Sequence, residues 1–218
     1  MMGRTLRLER YALGDLPDWD SLQDVEALFL TRTPIVDVVP LAGLRRLKVL
    51  GLKLTRVVDV APLAALTGLE SLNLSFTSVA DVGPLAGMVG LKSLYLTGSL
   101  VADIASLAGL LRLERLDLGG TGVVDLTPVA GMTALASLQI SGTGVADLRP
   151  LAGLSELQVL EAGSSAVADV AVLAGLPSLR FVDLRGTSVQ DVSMLTQCEV
   201  LTKHTVRERF RRAREGRR

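Results

Sequence analysis

Thr77–Leu94 reads TSVADVGPLAGMVGLKSL, and its features recur 22 residues away in both directions. Its aspartate belongs to a ladder of nine: Asp15, Asp37, Asp59, Asp81, Asp103, Asp125, Asp147, Asp169 and Asp191. An internal period of about 20–29 residues with leucines at constant offsets marks a solenoid, in which each unit packs only on its neighbours.

Aligning the chain on these aspartates exposes the rest of the unit. Leu6, Leu28, Leu50, Leu72, Leu94, Leu116, Leu138 and Leu160 share one position, followed by Val182, and the position two residues later is apolar from Leu8 to Leu184. An apolar-x-apolar spacing is strand alternation, so both side chains face one way. The second half of the unit is a different element. Pro40, Pro62, Pro84, Pro128 and Pro150 stand three residues after an aspartate. Proline is tolerated only in a first helical turn, and the Leu-Ala-Gly-Leu that follows is too short for an α-helix. The spacing predicts a 3-10 or one-turn helix, ended by Gly43, Gly87, Gly109, Gly131, Gly153 and Gly175, with Ala65 the exception. Each aspartate is expected to act as the N-cap of that turn, accepting the N–H of the residue two further on or of one beyond the proline, which has none to donate. A second ladder, Thr33, Thr55, Thr77, Ser99, Thr121, Thr143, Ser165 and Thr187, lies where the chain leaves the strand. Its hydroxyls are expected to bond turn backbone, in their own unit and in the next.

Composition agrees with identical small rungs. The chain of 218 residues is 49% apolar but only 3% aromatic, so its core is Leu, Val and Ala. Net charge is zero but unevenly placed. Eight of the 23 basic and two of the 23 acidic residues lie in 203–218, which leaves a body of −6 and a tail of +6. A body of that sign is no electrostatic platform for nucleic acid. The single cysteine, Cys198, excludes a disulfide framework and reads as a buried core thiol. The start has no apolar run of secretory type, and no stretch is apolar enough to span a membrane. A cytoplasmic, reducing location is the expectation, unless a non-standard export route acts.

The unit 72–94, LNLSFTSVADVGPLAGMVGLKSL, resembles the bacterial 22-residue leucine-rich repeat of the internalin type, and the resemblance runs over residues 3–204. It implies an α/β leucine-rich repeat solenoid of eight to nine repeats, a curved right-handed superhelix with a concave parallel β-sheet and 3-10 or short helical turns on the convex side. Ligands of that family usually dock on the concave face. This chain departs from the family in carrying Thr or Ser where Asn is usual. Similar alanine-rich repeats with Thr at this position occur within larger bacterial signalling proteins. The ends deviate from the unit. Tyr11 and Trp19 are expected to fill an end rung, and the charged LRLER strand (6–10) to discourage edge pairing. Leu201 and His204 are expected to hold the register of a last strand. Thr205 opens a capping-box pattern, so 205–218 reads as a basic capping helix and tail.

No chemistry of catalysis emerges. One histidine cannot build a triad or a zinc site alone, there is no phosphate loop, and the aspartate ladder (Asp37 to Asp191) lacks the nine-residue glycine-rich unit of calcium-binding β-rolls. The expectation is a non-enzymatic protein–protein interaction module with no cofactor, metal or small-molecule substrate. The alternative is a regulatory or targeting part of a larger enzyme or signalling complex. Nucleic acid or membrane contact is expected only through the basic tail. On the concave face, strand alternation turns Phe29, Lys53, Tyr95, Arg115, Asp117, Glu161, Phe181, Asp183 and Arg185 outward. Aromatics and arginine dominate interface hot spots, and the charged members cluster in the C-terminal half, which is therefore the expected contact patch.

Overall fold

The computed structural model describes residues 4–9 and 18–203. Asp15, Tyr11, His204 and the segment 205–218, expected to be helical, lie outside them. The described chain forms one ten-stranded parallel sheet in strict sequence order. Its strands are β1 (Arg4–Arg7), β2 (Val25–Phe29), β3 (Val49–Gly51), β4 (Ser71–Asn73), β5 (Ser93–Tyr95), β6 (Arg115–Asp117), β7 (Ser137–Gln139), β8 (Val159–Glu161), β9 (Phe181–Asp183) and β10 (Glu199–Leu201). From β2 to β9 every register pair joins residues 22 apart, as Leu72 does with Leu94. The sequence period is thus the period of the sheet.

The opposite wall is a row of 3-10 turns, such as Val39–Gly43, Gly83–Gly87 and Arg149–Gly153. Between the walls lies one continuous aliphatic core. A single unit contributes Leu69, Leu72, Leu74, Val79, Val82, Leu85 and Met88 to it, all essentially inaccessible. Two-residue alternation delivers the leucines at 72 and 74, and the i, i+3 spacing of the tight turn delivers 82, 85 and 88. Burying each such side chain stabilises by about 1.5–3 kcal/mol before chain entropy is counted.

The aspartate carboxylates hold the entry to the turn by the nearer of the two expected bonds, although each stands one residue before the N-cap. Asp37, Asp59 and Asp81 accept the backbone N–H of Val39, Ala61 and Gly83 at 2.7–2.8 Å, and the same bond recurs to Asp191. The N-cap residue proper is the following apolar one, Val38, Val60 or Val82. Each aspartate therefore makes an Asx turn that feeds the cap. It bonds the residue before the proline, because the proline itself has no N–H.

The hydroxyl ladder is narrower in reach than expected. Thr33, Thr55 and Thr77 each donate to the carbonyl three residues back, at 2.6–2.7 Å, as do Thr121, Thr143, Ser165 and Thr187. Those bonds stay within one rung. Ser99 is different: its hydroxyl is buried with no protein partner among the described residues.

The 3-10 turns end at the expected glycines, except that the shorter turn Thr127–Val129 stops before Gly131. The glycines at the end of the 3-10 turns have no positive φ, and a Cβ at Gly87, Gly109 or Gly175 would meet nothing within 4 Å. Their backbone is ordinary, which is why Ala65 can replace them. The last repeat also breaks register. Val200 and Leu201, rather than His204, pair with Val182 and Asp183. Strand β10 starts 18 residues after β9, four short of the period. The chain has lost the Pro-Leu-Ala-Gly-Leu wall there, so after buried Leu195 it returns directly to the sheet. Cys198 in that rung is only partly buried against the core.

Candidate protein-binding face

The sheet presents three outward rows, fixed by register. The first runs Ala27, Val49, Ser71, Ser93, Arg115, Ser137, Val159, Phe181, and the second Phe29, Gly51, Asn73, Tyr95, Asp117, Gln139, Glu161, Asp183. The third, one step beyond the strands, contains Lys53 and Arg185. All nine sequence-predicted contact residues fall on these rows, but they are not equally available.

Arg115 and Arg185 are exposed, whereas Phe29, Lys53, Tyr95, Asp117, Glu161 and Phe181 are half-buried. Phe29 lies against Gly51, where a Cβ would come within 2.8 Å of its ring, and the Arg7 guanidinium sits 4.3 Å above it. Asp183 is 6% exposed. Its carboxylate accepts the Arg185 backbone N–H at 3.0 Å and is clamped by the Arg185 guanidinium. Burial pushes this carboxyl up, but the side-chain and backbone bonds from Arg185, together with its charge, outweigh that and hold it below the ordinary aspartate value. Asp117 likewise accepts the Gly119 N–H at 3.0 Å, as Asn73 does from Ser75 and Gln139 from Ser141. The second row thus shapes the strand exit. Asp117 and Asp183 are scaffold groups as much as contact groups, and Arg185 is a paired cation.

Strand-exit geometry also reveals a row that sequence reasoning missed. Arg32, Leu54, Phe76, Gly98, Gly120, Gly142, Ser164 and Gly186 all have positive φ, between 56° and 79°. The four glycines adopt this freely, while an L-residue is strained there. Phe76 is 48% exposed and its ring covers Gly98, where a Cβ would fall 2.7 Å from it. Lys53 Nζ lies 5.6 Å from the ring centroid, within cation–π range. The usable signal was present: this position is Gly in half the repeats. Among the described residues, no group of three His, Cys, Asp or Glu could hold a metal, and no helix is long and apolar enough to cross a membrane.

A parallel sheet of short strands backed by 3-10 turns around a leucine ladder defines a leucine-rich repeat solenoid. Comparison with solved structures narrows the class. The chain superposes on internalin C2 of Listeria monocytogenes with a TM-score of 0.82 at 33% identity, covering 85% of this chain and 84% of that one. It also matches an internalin (InlF) of the same organism with a TM-score of 0.57 at 25% identity, over 90% of this chain and 75% of the other. The chain belongs to the internalin family of leucine-rich repeat proteins. No protein-family model matches it, and no curated protein does.

Proposed function

We propose that this chain is a non-enzymatic protein-interaction module that holds its partner on the concave, outward face of the sheet. The observation that carries the reading is the composition of the outward rows. Small polar residues such as Ser71, Ser93 and Ser137 are interrupted by Phe29, Tyr95, Arg115, Glu161 and Phe181. The core requires the inward leucines of these strands, but it sets no such demand on the outward positions. Aromatic and arginine side chains on a firm backbone are the groups that dominate binding energy at interfaces. Lys53 and Arg185 flank the face, and Asp117 and Asp183 serve it by fixing the strand exits.

The repeat is a 22-residue internalin-type unit whose Asn ladder is replaced by Thr and Ser, with every hydroxyl from Thr33 to Thr187 except that of Ser99 closing the turn of its own rung. The repeat pattern runs over 3–204, and 205–218 follows it as a basic segment.

Affinity capture with the purified chain tests this against the variant Y95A/R115A/F181A. Arg185 is left intact, because its removal would strand buried Asp183. We expect the prey recovered by the wild type to be lost with the triple variant while its circular dichroism and melting curve stay the same. Undiminished recovery of the same prey would refute the concave-face assignment.

A further inference from the structure

The eight strand-exit stretches from 31–34 to 185–188 contain no Asp or Glu. At their N-terminal end they carry Arg32, Lys53 and Arg56, none of which forms an ion pair among the described residues. Leu54 (38% exposed) stands between Lys53 and Arg56, with Phe76 (48%) on the next rung and Leu100 (64%) on the one after. Leu54 and Phe76 occupy the left-handed row, with φ of 59° and 57°, where the same backbone in other rungs holds glycine. Bulky side chains are rare outliers in that region, and strain of this kind concentrates at ligand clamps. Folding alone would be served better by glycine, so these two side chains are maintained at the margin against a local cost.

We propose that this margin, which adjoins the concave face at Lys53, is a second docking site for a protein segment carrying carboxylates next to one apolar side chain. The inference rests on the protein-binding reading above and shares only Lys53 with the concave face. Among the described residues these cations have no carboxylate partner, and in the proposal the occupant supplies it. The Leu54–Phe76–Leu100 strip takes the apolar side chain, and Lys53, already over the Phe76 ring, joins the two chemistries. Four rungs from Arg32 to Leu100 span about 14 Å at the usual strand spacing, the length of four or five extended residues. A nucleic acid strand fits less well. It calls for a longer cationic track and successive aromatic platforms, whereas two of the three apolar groups here are leucines.

The test uses the isotope-labelled full chain and four probes, followed by NMR titration. The first is a twelve-residue peptide with Asp and Glu on both sides of a single Phe. In the second that Phe is Ser, in the third the acids are Lys, and the fourth is a twelve-nucleotide oligothymidine. The first peptide is expected to shift the amide signals of Lys53, Leu54 and Phe76, and the others to leave them in place. F76G and the double variant K53Q/R56Q should each weaken the first peptide at least tenfold. F76G should melt no lower than the wild type, since Gly98 and Gly120 already hold that conformation. The proposal is overturned if the first peptide shifts nothing, if it binds F76G as tightly, or if oligothymidine produces the same shifts. Capture that still depends on Tyr95 alongside such a failure overturns only the second site. Capture that depends on neither surface overturns the concave-face assignment as well.

Discussion

Gly109→Ala and Gly120→Ala are the same chemical change on one backbone, and the structure assigns them opposite signs. Gly109 ends a 3-10 turn with ordinary φ and open space around its Cβ direction. Alanine there restricts the unfolded chain without straining the folded one, which stabilises by about 0.4–1 kcal/mol. Gly120 has φ of 63°, and the nearest atom to a Cβ is Gly98 N at 3.9 Å, so no clash intervenes. What remains is the left-handed penalty of an L-residue, about 1–2 kcal/mol. The same unfolded-state restriction offsets part of it, so Gly120→Ala should lose about 0.5–1 kcal/mol. The two variants should then differ by about 1–2 kcal/mol, close to the bare conformational cost. Urea titration followed by far-ultraviolet circular dichroism reads this as midpoints shifted to either side of the wild type with unchanged slope. A Gly120→Ala variant as stable as Gly109→Ala would refute the left-handed row as a source of strain. It would also remove the reason for thinking that Phe76 is held in place at a cost.

Other outcomes follow from the polar ladders. Ser99→Ala should be neutral within about 0.5 kcal/mol, because the hydroxyl has no partner to lose, whereas Thr121→Ala should cost about 1–2 kcal/mol by breaking its 2.6 Å bond to Leu118 O. Denaturation midpoints compare the two directly. Arg185→Ala should lower the denaturation midpoint and raise the Asp183 pKa, since a buried carboxylate loses its guanidinium. Carboxyl-carbon NMR titration reads the shift, and Arg185→Lys should restore it in part. Acid should unfold the chain by a defined route. Side-chain and backbone bonds from Thr127, Arg149 and Ser193 hold Asp125, Asp147 and Asp191 below the ordinary 3.8, and Lys92 holds Glu70 below 4.5. Because the folded state binds these protons less readily, the stability they confer is complete above the unfolded values and lost as pH falls through the lowered ones. Denaturation midpoints should therefore be level from neutrality to about pH 5 and fall below about pH 4. A midpoint unchanged at pH 3 would contradict the carboxylate bonds.

The fold was legible because a repeat presents the same evidence many times. No single Leu-x-Leu would have fixed a strand, but the run from Leu28 to Val182 fixed a parallel sheet and its register. Irregular features were harder to read. The 18-residue last repeat escaped because extrapolating the period carried the strand to His204, while physical closure of the rung by Leu195 and Val200 needed four residues fewer. On the candidate face, alternation placed every side chain on its row but said nothing of local hydrogen bonding. Asp183 therefore looked like a free surface charge until the Arg185 clamp was seen. Phe76 was overlooked for a related reason. It lies one residue past the alternating strand positions, where only the backbone angle shows that its ring turns outward over Gly98.

From β2 to β9 each residue has as its lateral neighbour the residue 22 positions along the chain. Excising one such module would rejoin a chain in which every inner side chain still meets its own kind. Reach would shorten by one step of about 4.8 Å, and the walls would close as before. What would vanish is the small set of outer letters that the module carried. Such a molecule can change what it recognises by exchanging, copying or deleting whole modules, with its folding instructions left untouched.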